Sequence, residues 1–143
     1  MRRAIAAALI ASTLLAGLSA ARAQPAAAEA DADAARSMDA AYIAVPVVRD
    51  GRLVNYIFVS LRVDIAPGVD LWRTREKAHF LRDALVRAAH RTPMVSAADD
   101  DALDRPVALA AFRAAAQEAL GARAVRGLSI VEVQSSRQTV AQR

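Results

Sequence analysis

The sequence predicts a small α+β domain, a two-layer sandwich in which two helices cover one face of a three-stranded sheet. Apolar and polar residues alternate over Leu53–Ile65, as in a strand with one buried face. Between Asp70 and Arg91 the apolar residues recur at spacings of three, four and seven, which indicates an amphipathic helix. A β-branched run at Gly127–Gln134 predicts a closing strand, so the element order is β-β-α-α-β.

The first two strands are predicted to form a hairpin. Tyr42–Val48 is apolar and β-branched, and Pro46 within it favours an edge position. Asp50-Gly51 is typical of a hairpin turn. In the second strand, alternate residues are predicted to face the helices and to face away from them. The first set is Ile57, Val59, Leu61, Val63 and Ile65, and the second is Tyr56, Phe58, Ser60, Arg62 and Asp64.

Two helices are predicted between the second strand and the last. Asp70 is suited to cap the first helix, which ends before Pro93. The second helix begins near Arg105 and has Gly121 as its C-cap. The residues predicted on their buried sides are Leu71, Ala78, Leu81, Leu85 and Ala88 in the first, and Leu109, Phe112, Ala116, Ala119 and Leu120 in the second. The last strand is apolar on both faces, which favours a central position in the sheet.

The N-terminus has the three zones of a secretory signal. Arg2 and Arg3 supply positive charge, and Ala4–Ala20 is an uncharged, mostly apolar run. Ala21-Arg22-Ala23 then offers the small residues that signal peptidase requires. We predict that residues 1–23 are a signal peptide of the general secretory route rather than the twin-arginine route, and that the protein is periplasmic. The alternative is an uncleaved anchor in the inner membrane.

Composition bounds the rest of the chain. Residues 24–40 are predicted to be a disordered tether rich in Ala and Asp, 41–136 the folded domain, and 137–143 a disordered tail. The chain has 19 basic and 15 acidic residues, but loss of the three arginines in 1–23 leaves 16 against 15. This balance gives no indication of nucleic-acid binding. The absence of cysteine excludes disulfides and a lipid-anchoring cysteine.

No catalytic residue, cofactor site or metal site is predicted. His79 and Asp83 lie one helical turn apart, a spacing that paired metal ligands use. An exposed polar surface is the simpler explanation, with Asp83 paired to Arg87 and His90 near the helix C-terminus. Asp99–Asp101 lack the alternating ligands of a calcium loop and are predicted to be solvated. Neither a Gly-x-Ser-x-Gly turn nor a phosphate-binding loop is found.

The sheet face away from the helices is predicted to be an association surface. The predicted interaction residues are Tyr42, Val48, Tyr56 and Phe58. Two apolar residues of the last strand are expected to join them, because aromatic and β-branched patches of this size are seldom left bare. The alternative is that the tether or the loop Thr92–Asp104 covers this face. Trp72 is predicted to be a lid on the core or an interface residue.

The stretch Tyr42–Gln134 resembles the periplasmic domain of the flagellar basal-body-associated protein FliL family. The similarity follows the element order and four short segments, which are Val45–Val48, Tyr56–Asp64, Leu81–Val86 with its Arg-Asp-Ala step, and Ile130–Gln134 with its terminal Gln. The resemblance implies a stomatin-like, non-enzymatic accessory domain that associates into rings around the motor's stator units. The signal-like N-terminus and the loop His90–Pro93 differ from the family, so a soluble exported paralogue stands beside a motor component as an alternative.

These observations lead us to expect a non-enzymatic periplasmic interaction module without a cofactor. Its partner is expected to be a second copy or another periplasmic protein, with no nucleic acid, and with membrane contact only if the N-terminal segment is retained. The alternative function is that of a small periplasmic hydrolase or ligand-binding protein, which would need polar groups converging in a concave site.

Overall fold

A computed structural model of the chain describes residues 36–137. The predicted signal peptide, tether residues 24–35 and tail residues 138–143 lie outside the described residues. The elements are β1 (Ser37–Arg49), β2 (Arg52–Ile65), α1 (Leu71–Glu76), α2 (Ala78–Arg91), α3 (Arg105–Leu120) and β3 (Val125–Ser135). Between residues 36 and 137, no helix has the length and apolar character needed to cross a membrane.

The three strands form an antiparallel sheet in the order β1-β2-β3, and the helices lie on one of its faces. Helix α2 packs over β1, α3 packs over β3, and the two helices pack against each other. The predicted two-layer α+β arrangement is therefore confirmed. The predicted inner face of β2 is also confirmed, since the helices bury all of Ile57, Val59, Leu61, Val63 and Ile65.

The prediction that the last strand is central is wrong, because β2 takes that position. The pairing of β3 with β2 shifts register between Ser60 and Leu61, which leaves Val131 as an extra residue. This bulge interrupts the alternation, so Leu128, Ile130 and Val133 all face the helices while Val131 is exposed. Because of the bulge, apolar residues occupy neighbouring positions of β3, so the sequence pattern resembles that of a strand with two apolar faces although only one face is buried.

The first predicted helix is interrupted at Lys77, which separates α1 from α2. Asp70 caps α1 as predicted, accepting from the amides of Trp72 and Arg73. Beyond the break, the buried residues of α2 are Leu81, Ala84, Leu85 and Ala89, while the predicted Ala78 is exposed. Trp72 is 76% exposed, so it is not a lid on the core.

Helix α3 follows its prediction closely. The Asp104 side chain accepts from the Val107 amide at 3.2 Å, and Gly121 ends the helix at φ 97°. That angle lies in the region that glycine tolerates best. Phe112, Ala116 and Leu120 are buried, and Leu109 and Ala119 are half-buried.

The folded domain begins earlier than predicted, because β1 starts at Ser37 within the predicted tether. Met38 and Ala40 are buried, and Ala40 pairs with Leu61 of β2. The Arg36 guanidinium donates to two loop carbonyls at 2.9 Å each and fixes the start of the strand. The Ala- and Asp-rich composition of this segment predicted a tether, although its buried and exposed residues alternate and extend β1.

Candidate functional site

The sheet face away from the helices divides into an apolar half and a polar half. Tyr56 and Phe58 are neighbours on the apolar half, with ring centroids 6.5 Å apart and planes inclined by 25°. Their register partners on β1 are Pro46 and Ala44. Tyr56 is 36% exposed, and Phe58 is half-buried. This aromatic pair, with the adjacent residues of β1, is called the outer patch below.

The outer patch includes three of the four predicted interaction residues. Val48 is 52% exposed and lies two positions beyond Pro46, on the same face by strand alternation. Tyr42 lies instead on a bulge, where Ala41 and Tyr42 together stand opposite Ser60. Tyr42 has φ 54° and is 60% exposed, so it departs from the regular alternation of the strand and is not counted in the patch.

The last strand does not supply the two apolar residues that were expected on this face. The residue opposite Phe58 is Gln134, and the one opposite Ser60 is Glu132. Leu128, Ile130 and Val133 of β3 face the helices, and Val131 faces away from them beside Glu132. The outer patch is therefore built from β1 and β2, and β3 gives it a polar border.

An ion pair between β1 and β2 lies on the polar half of the face. Arg62 Nε lies 2.8 Å from Asp39 Oδ1, and the two residues are register partners. The hydrogen bond to Asp39, together with the attraction of its charge, raises the pKa of the Arg62 guanidinium above its ordinary value. This half offers charge and hydrogen bonds rather than apolar area.

The loop between α2 and α3 does not cover the outer patch, because it is held on the other side of the sheet. Asn55 is buried on the inner face of β2, and its amide nitrogen lies 2.8 Å from Asp101 Oδ1 and 3.1 Å from the Asp100 carbonyl. The same nitrogen lies 2.9 Å from Ser135 Oγ, and Asn55 Oδ1 accepts from Ser136 Oγ at 2.5 Å. The Asn55 side chain thus links the loop to the end of β3.

Arginines complete this polar cluster, which we call the loop latch. Arg49 at the end of β1 donates to Asp100 Oδ1 at 2.7 Å and to the Ser96 carbonyl at 2.6 Å. Arg137 lies 3.9 Å from a carboxylate oxygen of Asp100 and also 3.9 Å from one of Asp101. The sequence predicted a solvated acidic loop, and in the structure Asp100 and Asp101 are half-buried and paired with these arginines. Sequence analysis missed the latch because its members are distant in the chain and belong to no motif.

The histidines lie apart on the surface of α2. The ring centroids of His79 and Phe80 lie 4.0 Å apart with the planes inclined by 40°, and His90 Nδ1 lies 2.9 Å from the Val86 carbonyl. Asp83 is paired with Arg87, as one of the two explanations predicted. Within residues 36–137, no three His, Cys, Asp or Glu side chains are grouped so that they could hold a metal ion.

Three shallow grooves run beside α2. The groove between β1 and the C-terminal end of α2 has a volume of about 200 Å³ and is lined by Arg49, His90 and Met94, among others. The groove at the bulge of β1 has about 260 Å³, and that between α2 and α3 about 200 Å³. All three fall below the roughly 300–1,000 Å³ of typical ligand pockets.

Comparison of this chain with protein-family models, with curated proteins and with solved structures finds no match.

Proposed function

We propose that this protein is a non-enzymatic interaction module, exported to the periplasm, that binds a protein partner through the outer patch. The observation that carries the proposal is the stacked pair Tyr56 and Phe58 on the sheet face that the helices leave uncovered. Aromatic side chains are enriched at protein interfaces, and Tyr combines apolar area with a hydrogen-bonding group. The polar border of Arg62 and Glu132 matches the usual anatomy of an apolar centre with a polar rim.

The resemblance to the FliL family suggests that the partner belongs to the flagellar motor, and we propose an accessory role beside the stator units. The alternative is a small hydrolase or ligand-binding protein. The grooves along α2 favour it less than they favour an interaction module. Their volumes of about 200 to 260 Å³ and open shape suit a surface better than a substrate site.

Site-specific photo-crosslinking in the native host tests the outer patch. A photoreactive phenylalanine analogue at Tyr56 is compared with the same analogue at Val107 of α3, because the two positions are 36% and 38% exposed. We expect a discrete protein adduct from Tyr56 and none of that mass from Val107. The adduct should disappear when Phe58→Asp is added, while the circular dichroism spectrum stays unchanged. Equal adducts from both positions, or none from Tyr56, would contradict the proposal.

The motor role has a separate test. Deletion of the gene should reduce the distance that cells spread by swimming in soft agar. The unaltered gene should restore that spreading, and a gene carrying Tyr56→Asp should not. If deletion leaves swimming unchanged, the motor role is wrong, and the outer patch is judged by the crosslinking alone.

A further inference from the structure

The two outer edges of the sheet are not equivalent. On β1, Pro46 lacks the amide hydrogen that a further strand would need, and Tyr42 lies on a bulge at φ 54°. Arg82 also donates to the Ala41 carbonyl at 2.7 Å and covers that edge. Strand β3 contains no proline, and among residues 36–137 no strand pairs with its outer side. It is therefore β3 that can accept another strand.

The order in which β3 side chains lie on one face of the sheet or the other is symmetric about Ser129. Its pairing with β2 has two register shifts, one beside Asp64 and one beside Ser60, and each places two successive residues on the outer face. The residues facing the helices are Val125, Leu128, Ile130 and Val133. The residues facing away are Arg126, Gly127, Ser129, Val131 and Glu132. Between Val125 and Val133 the pattern is the same in either direction along the strand.

We propose that β3 pairs with β3 of a second copy of this chain, antiparallel and two-fold symmetric about Ser129, to form one continuous sheet. In that register Leu128 lies opposite Ile130, and Val125 lies opposite Val133. Each bulge of one copy lies opposite a bulge of the other, so both strands have the same number of residues between matched positions. Apolar side chains then meet on the helix side along the whole strand, which a one-residue slip would destroy.

Two of the outward residues, Arg126 and Glu132, are complementary in charge across the same register. Arg126 lies opposite Glu132 of the second copy, and the symmetry forms this pair twice. Val131 is 58% exposed, and it lies opposite Gly127, where Asp64 Oδ2 lies 3.0 Å from the position that a Cβ atom would occupy. The Arg113 guanidinium reaches the Arg126 carbonyl at 3.5 Å, a long and exposed contact that an amide of the second copy can replace.

The helix layer covers the two edge strands unequally. Ile43, Val45 and Val47 of β1 are at most 1% exposed, whereas Leu128, Ile130 and Val133 of β3 are only half-buried. Pairing would bury more of these side chains by bringing the apolar residues of the second copy's β3 beside them. The pairing uses a different surface from the outer patch and places two such patches on one side of the joined sheet.

Disulfide formation tests the register, since the chain has no native cysteine. In the proposed pairing, Ser129 lies directly opposite Ser129 of the second copy, within the roughly 4.4–6.8 Å between Cα atoms that a disulfide requires. Val131 lies on the same face, but two copies of it would be about 13 Å apart along the strands. We expect Ser129→Cys to give a disulfide-linked dimer under mild oxidation and Val131→Cys to remain largely reduced. Equal crosslinking of both variants, or none from Ser129→Cys, would overturn the proposal.

A charge exchange tests the same pairing without cysteine, using sedimentation of the protein isolated from cells that express the whole chain. Arg126→Glu and Glu132→Arg each create two like-charged pairs, so each should weaken the dimer by roughly tenfold or more. The double variant restores opposite charges and should recover most of that loss. The control Glu76→Arg alters an exposed charge on α1 and should leave the dimer unchanged. A monomeric unaltered protein at high concentration, or a double variant as weak as the singles, would refute the pairing.

Discussion

Replacing Asn55 with Ala should destabilise the fold far more than a replacement at the exposed neighbouring residues of β2. Asn55 is 5% exposed, and its side chain contacts the loop at Asp101 Oδ1 and the end of β3 at Ser135 Oγ and Ser136 Oγ. Each such hydrogen bond contributes about 1 kcal/mol net, and stranded buried partners cost more. We expect a loss of about 2–4 kcal/mol in the free energy of unfolding. In a domain of this size that is a fall of roughly 10–25 °C in melting temperature.

Urea unfolding of Asn55→Ala, followed by circular dichroism, measures this loss. The control is Val54→Thr, which keeps a β-branched residue at the exposed neighbour and should change stability by less than about 0.5 kcal/mol. Combining Asn55→Ala with Asp101→Ala should cost about 1 kcal/mol less than the sum of the single losses, because both remove the same hydrogen bond. A loss from Asn55→Ala no larger than that of the control, or strictly additive losses, would refute the latch.

Two further predictions concern the export signal and the histidines. Intact mass of protein recovered from the periplasm should correspond to a chain that begins at Gln24, because Ala21 and Ala23 fit signal peptidase; recovery in the membrane fraction with residues 1–23 still attached would favour the anchored alternative. Replacing both exposed histidines, His79 and His90, with Gln should change the free energy of unfolding by less than about 1 kcal/mol. Loss of a stoichiometric metal from that double variant would show that the polar-surface interpretation is wrong.

Local sequence patterns determined the elements whose signals lie within a few residues. The alternation of β2 identified its buried face from Ile57 to Ile65, and the predicted capping residue Asp70 stands where α1 begins. The sequence also identified Tyr56 and Phe58 as a pair on the opposite face, since residues two apart on a strand share a side. These features depend on backbone geometry and on neighbouring side chains alone.

Tertiary structure decided the features that depend on pairing between distant segments. The break at Lys77 and the bulges of β3 leave no reliable mark in the spacing of apolar residues, so the sequence misplaced β3 and overextended the first helix. The loop latch joins Arg49 and Asn55 to aspartates far along the chain. The hairpin pairs β1 with one edge of β2, so β3 can pair only with the other. Among residues 36–137, that placement leaves the outer side of β3 without a paired strand.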